Sequence, residues 1–291
     1  MSENPGSTVP RRQVGRHLRQ LRTNAALPLR EAAQAVEMST SKLSRMEGAL
    51  ISPRWVDVEA LCKVYGADDE LTEALVALAK QAKTPGWWNS YGDVIPEGFS
   101  VYLGLESAAD RIEWHEQQTI PGLIQTDGYM RTLAQMTPRT EEDLERFTEL
   151  RLTRQRLLTR PTAAPRLRMV LDEAVLRRIV GGRAVMAEQL DHIAKLMELP
   201  NVDIRVVPFT GGPYLAMNGG RFTVLGFPQP PHGSPEPTTV YVEQLAGELY
   251  LDKPHEVAAY RAAWDDLWRR ALDPVRSEQM ARQIARELRS R

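Results

Sequence analysis

Cysteine and long apolar runs are scarce in this sequence. Cys62 is the single cysteine in 291 residues, which excludes an intramolecular disulfide and a metal cluster built from cysteines. No run of about 18 consecutive apolar residues occurs, so we expect no membrane span. The first ten residues lack the apolar stretch of a secretory signal. These absences predict a cytoplasmic protein.

Net charge is also nearly absent, at −1, but this value conceals a strong asymmetry. Between Arg11 and Arg54 there are nine basic and three acidic residues, a net charge of +6, whereas the remaining 28 basic and 35 acidic residues give −7. A compact basic segment joined to an acidic body is typical of a nucleic-acid-binding module attached to a second domain. A solvated basic helix face would give the same count, so the charge alone leaves both interpretations open.

Apolar periodicity and capping signals predict a flexible N-terminal arm over residues 1–12, followed over residues 13–82 by an all-α domain. Its five short helices each carry an apolar stripe or a small packing face, and the serine and aspartates that precede some of them suit N-caps. The predicted helices are Gln13–Asn24, Leu29–Val36, a helix from Ser39 to about Gly48, Trp55–Tyr65, and one from Asp68 or Asp69 to about Ala82.

Residues 83–104 form an aromatic-rich segment that glycine and proline interrupt. It contains Trp87, Trp88, Tyr91 and Phe99, more large rings than a flexible linker carries. We therefore interpret the segment as a fixed connector whose rings pack on a neighbouring domain. A stacking site for a ligand or protein partner, formed by the first three of these rings, is the alternative.

Residues 105–291 alternate between helical and strand patterns, which predicts a mixed α/β regulatory or dimerisation domain and an α+β fold class for the chain. The strands are expected at Arg166–Leu171, Val202–Val207, Arg221–Phe227, Thr239–Gln244 and Glu248–Leu251, the last two as a hairpin. The helices are expected at Leu105–Gln118, Thr126–Met136, Glu141–Thr159, Asp172–Val180, Ala184–Leu199, Pro254–Leu272 and Pro274–Leu288.

The segment from Leu29 to Glu47 has the pattern of a helix-turn-helix. Ala33 is small enough for a second helix to cross closely, and Leu43 and Met46 supply the inward face of that second helix. Its first turns carry short polar and donor-bearing side chains, which can reach base edges in the major groove: Thr40, Ser41, Ser44 and Arg45.

Three segments of the basic region resemble the lambda-repressor-like helix-turn-helix of the xenobiotic-response-element family: VGRHLRQLR from Val14, LREAA from Leu29 and KLSRME from Lys42. Four others resemble the antitoxin-like, WhiJ-type regulators of actinobacteria: PGWWNSY from Pro85, IPGLIQT from Ile120, VLDEAVLRR from Val170 and VYVE from Val240. Together the matching segments extend from about residue 13 to about residue 270.

The resemblance implies base-edge contacts from Thr40, Ser41 and Arg45, with Lys42 and Ser44 adjacent. It also implies binding to a double-stranded DNA operator and a small protein partner encoded nearby. We expect a homodimer, because one such helix reads only a few base pairs, whereas two read half-sites about one DNA turn apart.

The resemblance further implies a structural ion pair between Arg22 and Glu47. The sequence departs from the family pattern at Leu29, where many related repressors have a glutamine that contacts phosphate. Phosphate contacts must then come from other residues, for which the basic candidates are Arg12, Arg16, Lys42 and Arg54.

An enzyme is the main competing class, and the sequence gives it no support. The five histidines lack metal-ligand spacing, and neither a nucleophile elbow nor a phosphate-binding glycine loop occurs. We expect no catalytic residue, cofactor or metal. Residues 211–220, which include Tyr214, are either a surface loop or the edge of a partner or ligand site. Pro228–Pro237 is expected to be a mobile loop.

Overall fold

In the computed structural model, the chain divides into two units. The structure describes residues 8–83, 86–95, 99–137, 139–229, 236–245 and 247–290. The first unit comprises Met1–Gly92, Phe99–Ala108 and Gln229–Glu236, and the second comprises Asp93–Gly98, Ala109–Pro228 and Pro237–Arg291. The predicted fold class is confirmed, because a helical N-terminal region precedes a mixed α/β domain.

The described part of the first unit contains six α-helices. They are α1 (Thr8–Asn24), α2 (Leu29–Ala35), α3 (Thr40–Glu47), α4 (Trp55–Tyr65), α5 (Asp69–Gln81) and α6 (Phe99–Ala108). Because α1 begins at Thr8, the predicted flexible arm is wrong for residues 8–12, and residues 1–7 lie outside the described residues.

The side chains that precede α3 and α5 cap these helices as predicted. Ser39 accepts a hydrogen bond from the backbone N–H of Lys42 at 3.1 Å, and Asp68 accepts one from Leu71 at 2.8 Å. These side chains satisfy amide donors that have no partner inside the helix. The start of α3, which carries the candidate recognition residues, is therefore fixed by a local contact.

A single apolar core joins α1 to α5. Cys62 lies in it with a fully buried side chain, as expected for a small core residue, and burial raises the pKa of its thiol. The other fully buried members are Val14, Leu18, Ala32, Leu43, Val58, Leu61 and Ala79.

The aromatic segment packs within the first unit. Trp88, which belongs to a 3₁₀ helix over Trp87–Tyr91, is 4% exposed. A Cβ atom at position 104 would lie 3.2 Å from the Trp88 ring, so Gly104 allows α6 to approach that ring closely. These contacts show that Trp88 is packed, and the last residues of the segment form the first half of α6.

The second unit is built on a six-stranded mixed sheet in the order β3-β2-β1-β4-β5-β6. Strands β1, β2 and β3 are parallel, and the remaining pairs are antiparallel. The strands are β1 (Arg111–Glu116), β2 (Arg166–Asp172), β3 (Val202–Val207), β4 (Phe222–Gly226), β5 (Thr239–Gln244) and β6 (Gly247–Leu251).

The helices of the second unit pack around this sheet. One core cluster joins Trp264 and Leu267 to strand residues such as Val170, Phe222 and Val240, so the helix at Pro254–Arg270 covers one sheet face. The described α-helices are α7 (Asp127–Ala134), α8 (Glu141–Gln155), α9 (Glu173–Arg177), α10 (Gly182–Leu196), α11 (Pro254–Arg270) and α12 (Pro274–Arg289).

The predicted helix Leu105–Gln118 is wrong beyond Ala108. The chain leaves α6 after Ala108 and continues as β1, a strand with neighbours on both sides. Of the predicted mobile loop Pro228–Pro237, residues 230–235 lie outside the described residues. Within the described ranges, every helix is too short or too polar to cross a membrane.

Candidate DNA-binding surface

Helix α3 presents one polar face to solvent and buries the opposite face. Leu43 is fully buried and Met46 is 1% exposed, and both belong to the core of the first unit. Four polar side chains of this helix are exposed: Thr40, Ser41, Ser44 and Arg45. This arrangement follows from helical spacing, since residues three apart share a face and their neighbours point away.

A close backbone contact sets the distance between α1 and α3. A Cβ atom at Gly15 would lie 2.7 Å from the carbonyl oxygen of Met46 and 2.9 Å from that of Glu47. Only glycine fits there without a shift of backbone, so Gly15 is a positioning residue for α3. It lies within the VGRHLRQLR segment, yet the sequence alone does not reveal this contact.

Arg22 and Glu47 form a bidentate ion pair between α1 and the end of α3, as the family resemblance implied. Arg22 Nε lies 2.7 Å from Glu47 Oε1, and Arg22 donates a second hydrogen bond to Oε2 at 2.9 Å. The hydrogen bond to Glu47 raises the pKa of Arg22 further. Both charged side chains are largely buried, and their ion pair connects α1 to the end of α3.

Lys42 of α3 forms a salt bridge with Asp57 of α4. Its Nζ lies 2.7 Å from Asp57 Oδ2, and Arg54 Nε lies 4.0 Å from the same oxygen. The side chains of Lys42 and Arg54 are 36% and 64% exposed, so both remain within reach of solvent. Asp57 therefore lies close to both candidate phosphate ligands and partly neutralises their positive charges.

Arg12 and Arg16, which are predicted phosphate ligands, are both paired with one carboxylate of the same unit. Both bind the carboxylate of Glu236, which is 4% exposed: Arg12 Nε lies 2.9 Å from Oε1, and Arg16 Nη1 donates to the same oxygen at 3.1 Å. The Arg12 side chain is only 13% exposed and its charge is paired, so this arrangement does not favour Arg12 as a phosphate ligand. Arg16 stays partly exposed while its charge is paired.

Leu29 and the cations Arg19 and Arg30 lie on α1 and α2. Leu29 packs against the core of the first unit, in agreement with its inability to contact phosphate. Arg19 on α1 and Arg30 on α2, two cations of the basic segment, are exposed. Their exposure adds them to the candidate phosphate ligands.

The aromatic residues considered as ligand contacts are engaged in packing. Trp87 donates a hydrogen bond from Nε1 to Ser107 Oγ at 3.3 Å, and it meets the ring of Tyr91 edge-on at 6.4 Å. Trp88 is buried, as described above. Tyr214 is 8% exposed and donates to Asp172 Oδ2 at 2.9 Å. The burial of Trp88 and Tyr214 therefore does not favour the alternative of a ligand or partner site at these two residues.

Asp172 and Glu173 are structural acids. Asp172 caps α9 by accepting a hydrogen bond from Ala174 N at 2.8 Å, and Glu173 accepts one from Phe209 N at 2.8 Å. Among the residues that the structure describes, no group of three His, Cys, Asp or Glu side chains is placed to hold a metal ion.

Comparison with known families gives two matches. Residues 13–75 match a family described as a helix-turn-helix domain, and residues 99–283 match a family described as a domain of unknown function, DUF5753. No curated protein and no solved structure matches the chain significantly. The first match spans α1 to the middle of α5, the region that presents the exposed face of α3.

Proposed function

We propose that this chain is a sequence-specific transcriptional regulator. The chain belongs to the DUF5753 family, and it carries a helix-turn-helix domain ahead of the DUF5753 domain. The helix-turn-helix match supports DNA binding. The observation that carries sequence specificity is the exposed polar face of α3, with Thr40, Ser41, Ser44 and Arg45 above a buried apolar face. Arginine can bind guanine in a bidentate manner, and the hydroxyls can donate to or accept from base edges.

The test begins with selection of bound fragments from random DNA by the full chain, which yields the operator. Arg45→Ala and Ser41→Ala are then titrated against the operator and against single-base variants of it. We expect Arg45→Ala to lose about 1–3 kcal/mol of discrimination at one base pair. Arg54→Ala is the matched control and should weaken all fragments alike, since a phosphate contact carries no base information. Unchanged base preference in both α3 variants would contradict the assignment of α3.

The proposal includes a homodimer. One recognition helix reads only a few base pairs, whereas two helices about 34 Å apart read half-sites one DNA turn apart. We assign dimerisation, or the reception of a signal, to the C-terminal domain. Sedimentation of the full chain with and without the operator measures the stoichiometry, and a single unrepeated half-site bound by one chain would contradict the dimer.

The antitoxin-like role and the closer resemblance to WhiJ-type regulators stay predictions. In that alternative, the chain mainly neutralises a small protein partner and binds DNA for autoregulation. Co-purification of the full chain with a small acidic or neutral protein from its own cells would favour it. We also propose that the chain is not an enzyme, which the lack of catalytic motifs in its sequence supports.

A further inference from the structure

A basic cleft of about 570 Å³ lies beside the sheet of the second unit. Side chains of β1, β2 and β3 line it together with α11, and they comprise five arginines, two carboxylates and one tryptophan. The lining therefore has a net charge of +3, although the chain outside the segment Arg11–Arg54 is acidic as a whole. The proposed DNA-binding surface lies in the other unit and does not account for this charge.

Three of the arginines are fixed by groups inside the cleft. Glu113, which is 2% exposed, accepts a hydrogen bond from Arg168 Nη1 at 3.0 Å and another from Arg261. Arg205 binds Asp203, with Nε 3.1 Å from Oδ1.

These pairs also place guanidinium groups against an aromatic wall. The guanidinium carbons of Arg168 and Arg205 each lie 3.8 Å from the ring centroid of Trp268. The cleft thus has a preorganised framework before any ligand arrives.

The other two arginines, Arg111 and Arg166, are direct register partners on the parallel strands β1 and β2. Adjacent strands lie about 4.8 Å apart, and like charges opposite each other destabilise a sheet. Both side chains are exposed, and no carboxylate among the described residues lies within 4 Å of either guanidinium group. Two neighbouring positive charges therefore line this cleft without a counter-ion from the described chain.

A glycine on the neighbouring strand leaves room for the guanidinium group of Arg111. Gly226 is the register partner of Arg111 on β4, and a Cβ atom there would lie 2.7 Å from Nη2 of Arg111. A larger residue at position 226 would displace the guanidinium group. The absence of a side chain at position 226 therefore leaves room for the Arg111 guanidinium group over β4, where it lines the cleft.

We propose that this cleft binds a small anion with two or more negative charges, either a phosphate compound or a polycarboxylate. Arginine pairs bind carboxylate and phosphate oxygens in a bidentate manner. The volume lies within the range of small-molecule sites, about 300–1,000 Å³, and Trp268 supplies an apolar wall. DNA fits the cleft poorly, since Glu113 and Asp203 interrupt the run of cations that a long polyanion needs. That this anion is the signal of the C-terminal domain rests on the proposed function.

Calorimetric titration of the full chain with pyrophosphate and with citrate, at ionic strength held constant with chloride, tests the site. We expect saturable binding of at least one probe, and the better probe distinguishes phosphate from carboxylate chemistry. Arg111→Gln and Arg166→Gln should each weaken it about tenfold or more, because each removes charge-assisted hydrogen bonds. Arg276→Gln is the matched control, since it removes one exposed cation from the first turn of α12, outside the cleft. It should leave the affinity unchanged.

Three outcomes would overturn the proposal: no saturable binding of either probe, equal weakening by Arg276→Gln and Arg166→Gln, or a loss of operator binding in Arg166→Gln without any anion binding. The last result would mean that the cleft holds DNA. Both cleft variants alter exposed side chains and relieve repulsion, so circular dichroism should match the parent chain.

Operator affinity measured without an anion tests the regulator function by itself. If the chain binds pyrophosphate or citrate but no DNA, the result supports the anion site and contradicts the proposed function. If the chain binds its operator but neither probe, the result supports the proposed function and contradicts the anion site.

Discussion

Arg22 on α1 and Glu47 at the end of α3 are joined by two parallel hydrogen bonds of 2.7 and 2.9 Å. Their side chains are 16% and 6% exposed, and Arg22 also donates to the carbonyl oxygen of Leu27 at 3.0 Å. Because both charges are largely removed from water, each depends on the other for compensation. The pair fixes the end of the helix whose start would enter the DNA groove.

Glu47→Ala should therefore destabilise the protein by about 3 kcal/mol, since it leaves the Arg22 charge inside the fold without its carboxylate. Urea unfolding measures this free energy. Asp127→Asn is the control, because it breaks the exposed pair between Asp127 and Arg131 on α7 and should cost less than about 1 kcal/mol. The base preference of the folded Glu47→Ala protein should be unchanged. Equal costs for the two variants would show that the Arg22 pair is not a structural one.

Gly15→Ala should push α1 away from α3, because the new Cβ would meet two backbone carbonyl oxygens at 2.7 and 2.9 Å. We expect a loss of about 1–3 kcal/mol in unfolding free energy and weaker operator binding. Gly128→Ala on α7 is the matched control. Its Cβ would lie 3.4 Å from the Val185 side chain, an ordinary contact, and alanine favours a helix over glycine by about 1 kcal/mol. A stabilised Gly15→Ala protein would contradict the close approach.

The helix-turn-helix could be predicted because its signals are local. The Ser39 cap, the buried Leu43 and Met46 and the exposed Arg45 all follow from positions within a single short segment. Most strands of the second unit were predicted for the same reason, since their alternation or apolar runs are bounded by turn residues.

The errors arose where distant residues decide the structure. Strand β1 was predicted as part of a helix, because its buried Glu113 and Glu116 look like a solvated face in the sequence. The strand forms through pairing with β2, about fifty residues away, and with β4. Arg12 was likewise predicted as a phosphate ligand, whereas its guanidinium group forms a salt bridge with Glu236, more than two hundred residues later. Neither partner can be found from local periodicity.

DNA affinity should depend on Asp57, which holds Lys42 with Nζ 2.7 Å from Oδ2. Asp57→Asn leaves the positive charges of Lys42 and Arg54 unneutralised, so binding to DNA of any sequence should tighten. The slope of log affinity against log salt should steepen by about one unit, since another phosphate contact releases another counter-ion. Titrations at several salt concentrations measure both effects.

Glu59→Gln is the matched control for Asp57→Asn. It removes one negative charge from an exposed position on the same helix, α4, and should alter the slope less. The unsubstituted chain should itself lose affinity steeply with added salt, and a flat salt dependence would contradict the DNA-binding proposal.

The buried histidine of β1 should make the stability of the protein depend on pH. His115 is fully buried, with Nδ1 3.3 Å from the carbonyl oxygen of Val170 and Nε2 3.0 Å from the side-chain nitrogen of Gln117. These partners fit a neutral ring whose Nδ1–H donates to Val170 and whose Nε2 accepts from Gln117. Burial lowers its pKa from 6.5 to about 4, against smaller opposing effects of the hydrogen bond to Val170 and of the charge of Asp172.

The unfolded chain therefore takes up a proton near pH 6.5, whereas the folded chain takes it up only near pH 4. The free energy of unfolding should fall as the pH falls through this window, by up to about 3 kcal/mol from His115 alone. Urea unfolding at several pH values measures the fall. His115→Gln should flatten it whatever its effect at neutral pH, while His255→Gln, an exposed change on the first turn of α11, should retain it. Parallel pH profiles for the parent chain and His115→Gln would show that the fold does not lower the pKa of His115, which would contradict the buried neutral ring.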